Sequence, residues 1–308
     1  MNITAIREVL QQGATPVPLE GEHYASSLAI YEAASDQRGL ILAWTREALI
    51  PQLRAEQASI LSVGCGAGDL DKEILAASTK QSQVVAYVGL ESDACQCERF
   101  LSQMGNKENG RVQVEARNVG FEDLHDPRRY DLVIMVHSLY YMANPAWAVE
   151  KALGLVKDGG RLVILLAAND TLNELSSSFW EVEADREAWF SEDLDAYMNQ
   201  LGLSYKRERI EARLNVTQCF NPASAAGTQI ADFIAQVATK KLTPRLQGMI
   251  GEYLDATSEH DGQQRWLPHN VDAFIIEQQV ISYDGLGRQR GSLTPETRCP
   301  GSALAGHS

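Results

Sequence analysis

At 308 residues, 44% apolar and 22% charged, the chain can bury one large core with an insertion, or two small cores. A formal net charge of −14 argues against a surface that grips phosphate backbones, so nucleic acid is not an expected partner. No apolar run is long enough to span a bilayer, Met1-Asn2-Ile3-Thr4 opens no basic-then-apolar leader, and the five cysteines show neither disulfide-framework nor zinc spacing. The expectation is a cytoplasmic protein with reduced thiols, no membrane contact and no metal.

The first twenty residues carry little periodicity, and Thr15-Pro16-Val17-Pro18 reads as an extended lead-in. Leu28, Tyr31, Leu40, Ile41, Trp44 and Leu49 then recur at helical spacing, with a break near Ser35-Asp36-Gln37, which predicts two helices. Strand–helix alternation follows: strand 59–63, helix 69–77, strand 83–90, helix 93–104 and a short strand 111–115. Tyr130 to Val136 is an unbroken apolar run, the pattern of a strand buried on both faces of a parallel sheet. Asn144-Pro145 opens a helix over 145–155, expected to stop at Asp158-Gly159-Gly160 ahead of a strand over 161–167. Helix 191–201, a strand near 204–213 and a last strand from Val271 to Glu277 complete an α/β, doubly wound, seven-stranded sheet. Between those last two strands lie helical patterns at 226–238 and 243–257, expected as an insertion over 214–268 that closes the site as a lid. The implied organisation is a helical cap over 1–57, a main domain over 58–284 and a disordered tail over 285–308, rich in Gly, Ser, Pro and Arg.

The most informative stretch is Ile60-Leu61-Ser62-Val63-Gly64-Cys65-Gly66-Ala67-Gly68-Asp69-Leu70, a buried strand that runs through a glycine turn into a helix. Its glycines let the backbone pass close under a ligand, and the helix N-terminus offers free N–H groups to a polar end of that ligand. Asp69 stands where a dinucleotide fingerprint needs its third glycine, which argues against a nicotinamide oxidoreductase. The next strand ends at Glu91, placed to accept both hydroxyls of a ribose; an ordinary solvated strand-end acid is the plain alternative.

Strand, G-x-G-x-G turn, helix, strand and acid in that order resemble the class I S-adenosylmethionine-dependent methyltransferases, which implies a Rossmann-like sheet and S-adenosyl-L-methionine as cofactor. Four further stretches are similar to the histamine N-methyltransferases: Val136-His137-Ser138-Leu139-Tyr140-Tyr141, Leu201-Gly202-Leu203-Ser204-Tyr205, Gln218-Cys219-Phe220, and Asn270 ahead of Phe274-Ile275-Ile276-Glu277. The resemblance runs from about Tyr24 to Glu277. It implies a cofactor site of Gly64, Gly66, Gly68, Glu91, Gln96, Phe121 (through its backbone) and Val136. In Gly120-Phe121-Glu122-Asp123-Leu124 the position that usually carries a side-chain acid is Gly120, so the contact with adenine there is expected to be main-chain. On the acceptor side the resemblance implies Tyr24, Gln37 with Asp36 beside it, His137, Tyr140, Tyr141 and Asn270.

The departures matter as much. The family's acid is here Gln37, its glutamine after the fourth strand is His137, and its pocket tryptophans fall near Leu172 and Ser176, with Phe179-Trp180 following. These changes point to a small acceptor other than histamine. Methyl transfer from a sulfonium depends chiefly on holding the nucleophile in line. His137 and Tyr141 are the catalytic candidates: the first for its pKa near neutrality, the second as an aromatic wall facing the cationic donor. A strand-end histidine equally bonds a backbone carbonyl, and tyrosines equally fill a core. The expected activity is N-methylation of a small amine by a monomer. O-methylation of a hydroxyl or carboxyl stays open, as does a cofactor-binding regulator without turnover.

Overall fold

The computed structural model describes residues 2–13, 16–105, 110–183 and 189–278, with the side chains of 181–183 left aside; the expected tail and the last residues of the expected main domain lie outside them. Ahead of the Pro16-Val17-Pro18 lead-in, which is non-helical as expected, the weakly patterned start forms α1 (Ile3–Gln11), capped by the Asn2 side chain, which accepts from Thr4 N at 3.1 Å. Ile6 and Leu10, one turn apart, supply its buried face. The two expected helices follow as α2 (Gly21–Ala33) and α3 (Gln37–Trp44), broken where expected. Then come β1 (Gln57–Val63), α4 (Asp71–Gln81), β2 (Val84–Glu91), α5 (Ala94–Met104), β3 (Val112–Asn118), β4 (Tyr130–Val136), α6 (Pro145–Gly154) and β5 (Val156–Ala167).

β5 begins five residues before its expected start, because Asp158-Gly159-Gly160 does not stop a helix but bulges a strand. The pairing of β4 with β5 shifts register between Tyr130 and Leu132. A Cβ at Gly160 would sit 2.9 Å from the Tyr130 carbonyl oxygen, so the bulge has room for glycine alone.

After β5 the chain forms α7 (Thr171–Glu183), a helix that the periodicity reading did not separate out, and α8 (Ser191–Gln200). The single strand expected over 204–213 is two: β6 (Lys206–Ile210) in the main sheet and β7 (Arg213–Asn215) in a second one. The insertion then contributes α9 (Ala225–Ala235), α10 (Pro244–Thr257), β8 (Glu259–Asp261) and β9 (Gln264–Pro268) before β10 (Val271–Glu277). Strands β7, β9 and β8 form the small antiparallel sheet.

The main sheet runs β3-β2-β1-β4-β5-β10-β6, with β10 antiparallel to both its neighbours and the other pairs parallel. The chain reverses out from β1, so the carboxyl ends of β1 and β4 diverge into a crevice, the position where open α/β sheets take ligands. One face of the sheet packs Leu61, Val133 and Ile164 against α6 and α8; the other packs Ile60, Ile134 and Val163 against α3, α4 and α5. A third core joins α1, α2 and α7 to α9, α10 and the small sheet, through Leu10, Tyr31, Phe179, Ile234 and Leu254 among others. The N-terminal helices and the insertion therefore share one hydrophobic layer over the carboxyl ends of the strands.

Candidate active site

A cavity of about 1200 Å³ opens between that layer and the sheet. Its floor is the glycine turn after β1, where Gly64, Gly66 and Gly68 all hold positive φ (69°, 55° and 83°). Gly64 N and Cys65 N both donate to the Leu90 carbonyl, which folds the turn over the end of β2. A Cβ at Gly66 would project into open space, whereas one at Gly68 would strike the Phe100 ring at 2.7 Å. Glu91 stands at the tip of β2. Its Oε2 accepts from Gly66 N at 2.9 Å and its Oε1 from Asp93 N at 2.9 Å, so one carboxylate fixes both the turn and the entry to α5. Beneath the turn, the buried Asp71 accepts from Tyr87 Oη at 2.7 Å, and burial pushes its pKa up.

On the acceptor side a hydrogen-bonded chain crosses the cavity wall. Gln37 Nε2 donates to the His269 carbonyl at 2.7 Å, and its Oε1 faces His137 Nε2 at 2.9 Å. A carbonyl only accepts, so the amide can face His269 only with its NH₂, and this fixes His137 as the Nε2–H tautomer. His137 Nδ1 is then an acceptor for Tyr140 Oη at 2.8 Å, and that oxygen in turn accepts from Ala167 N at 2.8 Å. Burial pushes the His137 pKa down to about 4, with the Arg38 charge adding to it, so the ring is neutral near pH 7. His137 also holds φ at 50°, a strained backbone for a residue with a Cβ. The second imidazole, His269, lies between Tyr31 Oη (2.8 Å) and Ser35 Oγ (2.7 Å), and burial pushes its pKa down to about 3. At the mouth Tyr24 and Tyr141 meet hydroxyl to hydroxyl at 3.0 Å, and Arg38 bridges Glu32 of α2 to Asp69 of the glycine turn.

Twelve of the residues singled out from sequence line this one cavity: Tyr24, Gln37, Gly64, Gly66, Gly68, Glu91, Gln96, Phe121, Val136, His137, Tyr140 and Tyr141. Asn270 does not. Its side chain accepts from Ala212 N at 3.3 Å at the start of β10, and its neighbour His269 reaches the cavity instead. Asp36 is likewise turned away, accepting from Arg213 N at 2.7 Å. Leu172, Ser176 and Trp180 line the wall, while Phe179 is buried in the third core. Tyr31, Ser138 and His269 were not foreseen. His269 had a readable signal, since an antiparallel last strand begins at the carboxyl ends of its parallel neighbours, beside the crevice. Among the described residues no three His, Cys, Asp or Glu side chains group as metal ligands, and no helix is long and apolar enough to cross a membrane.

A methyltransferase-domain family model matches residues 61–162, which span the glycine turn, Glu91, the 120–122 turn and the His137–Tyr141 segment. The chain is a distant class I S-adenosylmethionine-dependent methyltransferase. This methyltransferase is 22% identical over 239 residues to histamine N-methyltransferase of Danio rerio, covering 71% of this chain and 81% of that one. It is also 30% identical over 122 residues to the ubiquinone biosynthesis O-methyltransferase of Leptothrix cholodnii, covering 39% of this chain and 46% of the relative. The YcgJ protein of Bacillus subtilis shares the fold with a TM-score of 0.52 at 14% identity, over 77% of this chain and 99% of that one. The cofactor is S-adenosyl-L-methionine, and the described residues fit it: a bare-backbone cradle at Gly66, a carboxylate at the strand tip, and a buried Ser138 Oγ at the cavity wall with no hydrogen-bond partner of its own.

Proposed function

We propose that this methyltransferase methylates a small molecule at nitrogen. The observation that carries the reading is the engagement of both ring nitrogens of His137, between Gln37 and Tyr140. A hydroxyl acceptor is a weak nucleophile until a base removes its proton. The histidine best placed to do so already accepts a hydrogen bond, is half-buried and is poorly basic. A neutral amine attacks with a lone pair it already has, and loses its proton afterwards. The 1200 Å³ cavity suits a small acceptor and not a polymer.

In this reading Gly64, Gly66, Gly68, Glu91, Gln96, Phe121 and Val136 hold the cofactor, which supplies an electrophilic methyl on a sulfonium. Tyr24, Tyr140, Tyr141 and Gln37 shape the acceptor side, with Tyr24 and Tyr141 closing the mouth so that water is kept out and the acceptor is held in line. His137 acts as a rigid neutral hydrogen-bonding post, not as the proton acceptor expected from its type. The cap over 1–57 and the insertion over 214–268 form the cover. The reading also takes the protein as a cytoplasmic monomer without nucleic-acid partners, in keeping with its net charge of −14.

The test is turnover on matched panels of small amines and hydroxyl compounds with S-adenosylmethionine, followed by mass spectrometry of the product. Methylated amines with unreacted hydroxyl counterparts support the reading. Methylation of hydroxyl compounds alone overturns it, and cofactor binding without turnover on either panel supports a regulator.

A further inference from the structure

We propose that Lys151 is a positioning residue for the purine end of the cofactor site, acting through the turn at 120–122. This rests on the reading above that the turn receives the adenine. Lys151 lies in the last turn of α6, outside the cavity. Its Nζ donates to the Phe121 carbonyl at 2.7 Å and to the Glu122 carbonyl at 3.0 Å. The same ammonium sits 5.1 Å from the Phe121 ring centroid and 4.7 Å from that of Trp147, one turn earlier on α6, and the two rings pack 6.4 Å apart. One cation thus clamps two carbonyls and two aromatic faces, an arrangement that fixes backbone orientation more firmly than a single contact does.

The direction of the clamp gives it a function. Asp123 N donates to the Gly120 carbonyl and Leu124 N to the Phe121 carbonyl, so residues 120–124 form two overlapping hydrogen-bonded turns. In such a turn carbonyls point one way and the first amides the other. Lys151 holds the carbonyl end. Gly120, Phe121 and Glu122 line the cavity, and the N–H groups of Phe121 and Glu122 have no protein acceptor among the described residues. At Gly120 no side chain reaches the cavity, so those amides are what the turn can offer to the acceptor nitrogens of a purine. The Phe121 carbonyl and the Glu122 N–H belong to one peptide plane, so removing the cation frees that plane to rotate and takes the Glu122 amide with it.

The experiment is calorimetric titration of the whole protein with S-adenosylhomocysteine and with S-inosylhomocysteine, whose N1–H donates where adenine N1 accepts. Wild type is expected to prefer the adenosyl ligand. Lys151→Met is expected to weaken that ligand about tenfold and to narrow the preference. Lys151→Arg, which keeps the charge and the donors, should restore most of both. Unchanged binding in Lys151→Met, or an equal loss for both ligands with the preference intact, overturns the proposal. So does a wild type that binds both ligands alike. If Lys151→Met does not fold, Lys151→Gln is read by the same ratio. A wild type that binds neither ligand sinks the reading of the site itself, which separates the two failures.

Discussion

Gln37 and His137, a hundred positions apart, lie 2.9 Å apart side chain to side chain, and this contact joins the N-terminal helices to the carboxyl end of β4. The far end of the same amide holds the His269 carbonyl, so Gln37 ties three separate segments together with its two polar atoms. Gln37 is buried, and an apolar replacement leaves His137 Nε2–H and the His269 carbonyl unmatched. Gln37→Leu is therefore expected to cost about 1–3 kcal/mol of stability, measured by urea unfolding, and to lower turnover by freeing the His137 ring. Wild-type stability together with wild-type turnover would show that the amide is a bystander.

The two cavity histidines predict a pH dependence. Both have folded pKa values below the unfolded value of about 6.5, at about 4 for His137 and about 3 for His269. Between those limits the unfolded chain binds more protons than the folded one, so stability rises with pH. The contribution is complete above the unfolded pKa and is lost as pH falls towards the folded values. Asp170 opposes it, because burial raises its pKa to about 6 and the folded state then holds an extra proton in part of the same window. The clean measurement is a difference. His269→Gln should lose about 2 kcal/mol less than wild type between pH 7 and pH 5. Parallel curves would mean that His269 is not held neutral.

The sheet and the glycine turn were legible because they are local: a strand buried on both faces is an apolar run wherever it falls, and a turn with three positive-φ residues needs glycine in sequence. Glu91 was readable because the strand that carries it ends where the run ends. What the periodicity missed depends on partners remote in the chain. α1 has two buried apolar positions, and α7 and α10 supply its packing partners. The strand near 204–213 divides because β7 pairs with β9 and not with β10, a choice made fifty residues later. The hydrogen bonds of His137 stayed hidden for the same reason: Gln37 and Tyr140 engage its two ring nitrogens, and Gln37 lies at a distance that no local pattern reveals.

Phe100 sits under the glycine turn and tests how tightly the turn is built. A Cβ on Gly68 would come within 2.7 Å of the ring, at φ 83°, and one on Gly89 within 2.4 Å at an ordinary φ. Gly89→Ala isolates the steric part and is expected to destabilise by about 1–3 kcal/mol, with relief when Phe100→Leu is added. Gly68→Ala carries backbone strain as well, so Phe100→Leu should rescue it less. Thermal or urea unfolding of wild type, the three single variants and the two double variants forms two double-mutant cycles. Equal rescue in both would show that the left-handed backbone at Gly68 adds nothing.

Glu91 carries the sharpest prediction about the cofactor, because its carboxylate has two tasks. One oxygen holds Gly66 N in the turn and the other holds Asp93 N at the entry to α5, and in the proposed site the same group meets the ribose. Glu91→Ala removes all of these and should weaken S-adenosylhomocysteine at least about tenfold in calorimetry. Glu91→Gln keeps one carbonyl oxygen for two amides and should fall between. Hydrogen exchange without ligand separates the tasks: a turn released by the mutation exchanges Gly66 N–H faster in both variants. A direct ribose contact shows instead as lost affinity beyond what that release explains. Wild-type affinity in Glu91→Ala would mean that the carboxylate only ties the backbone, and that the cofactor is held by the turn itself.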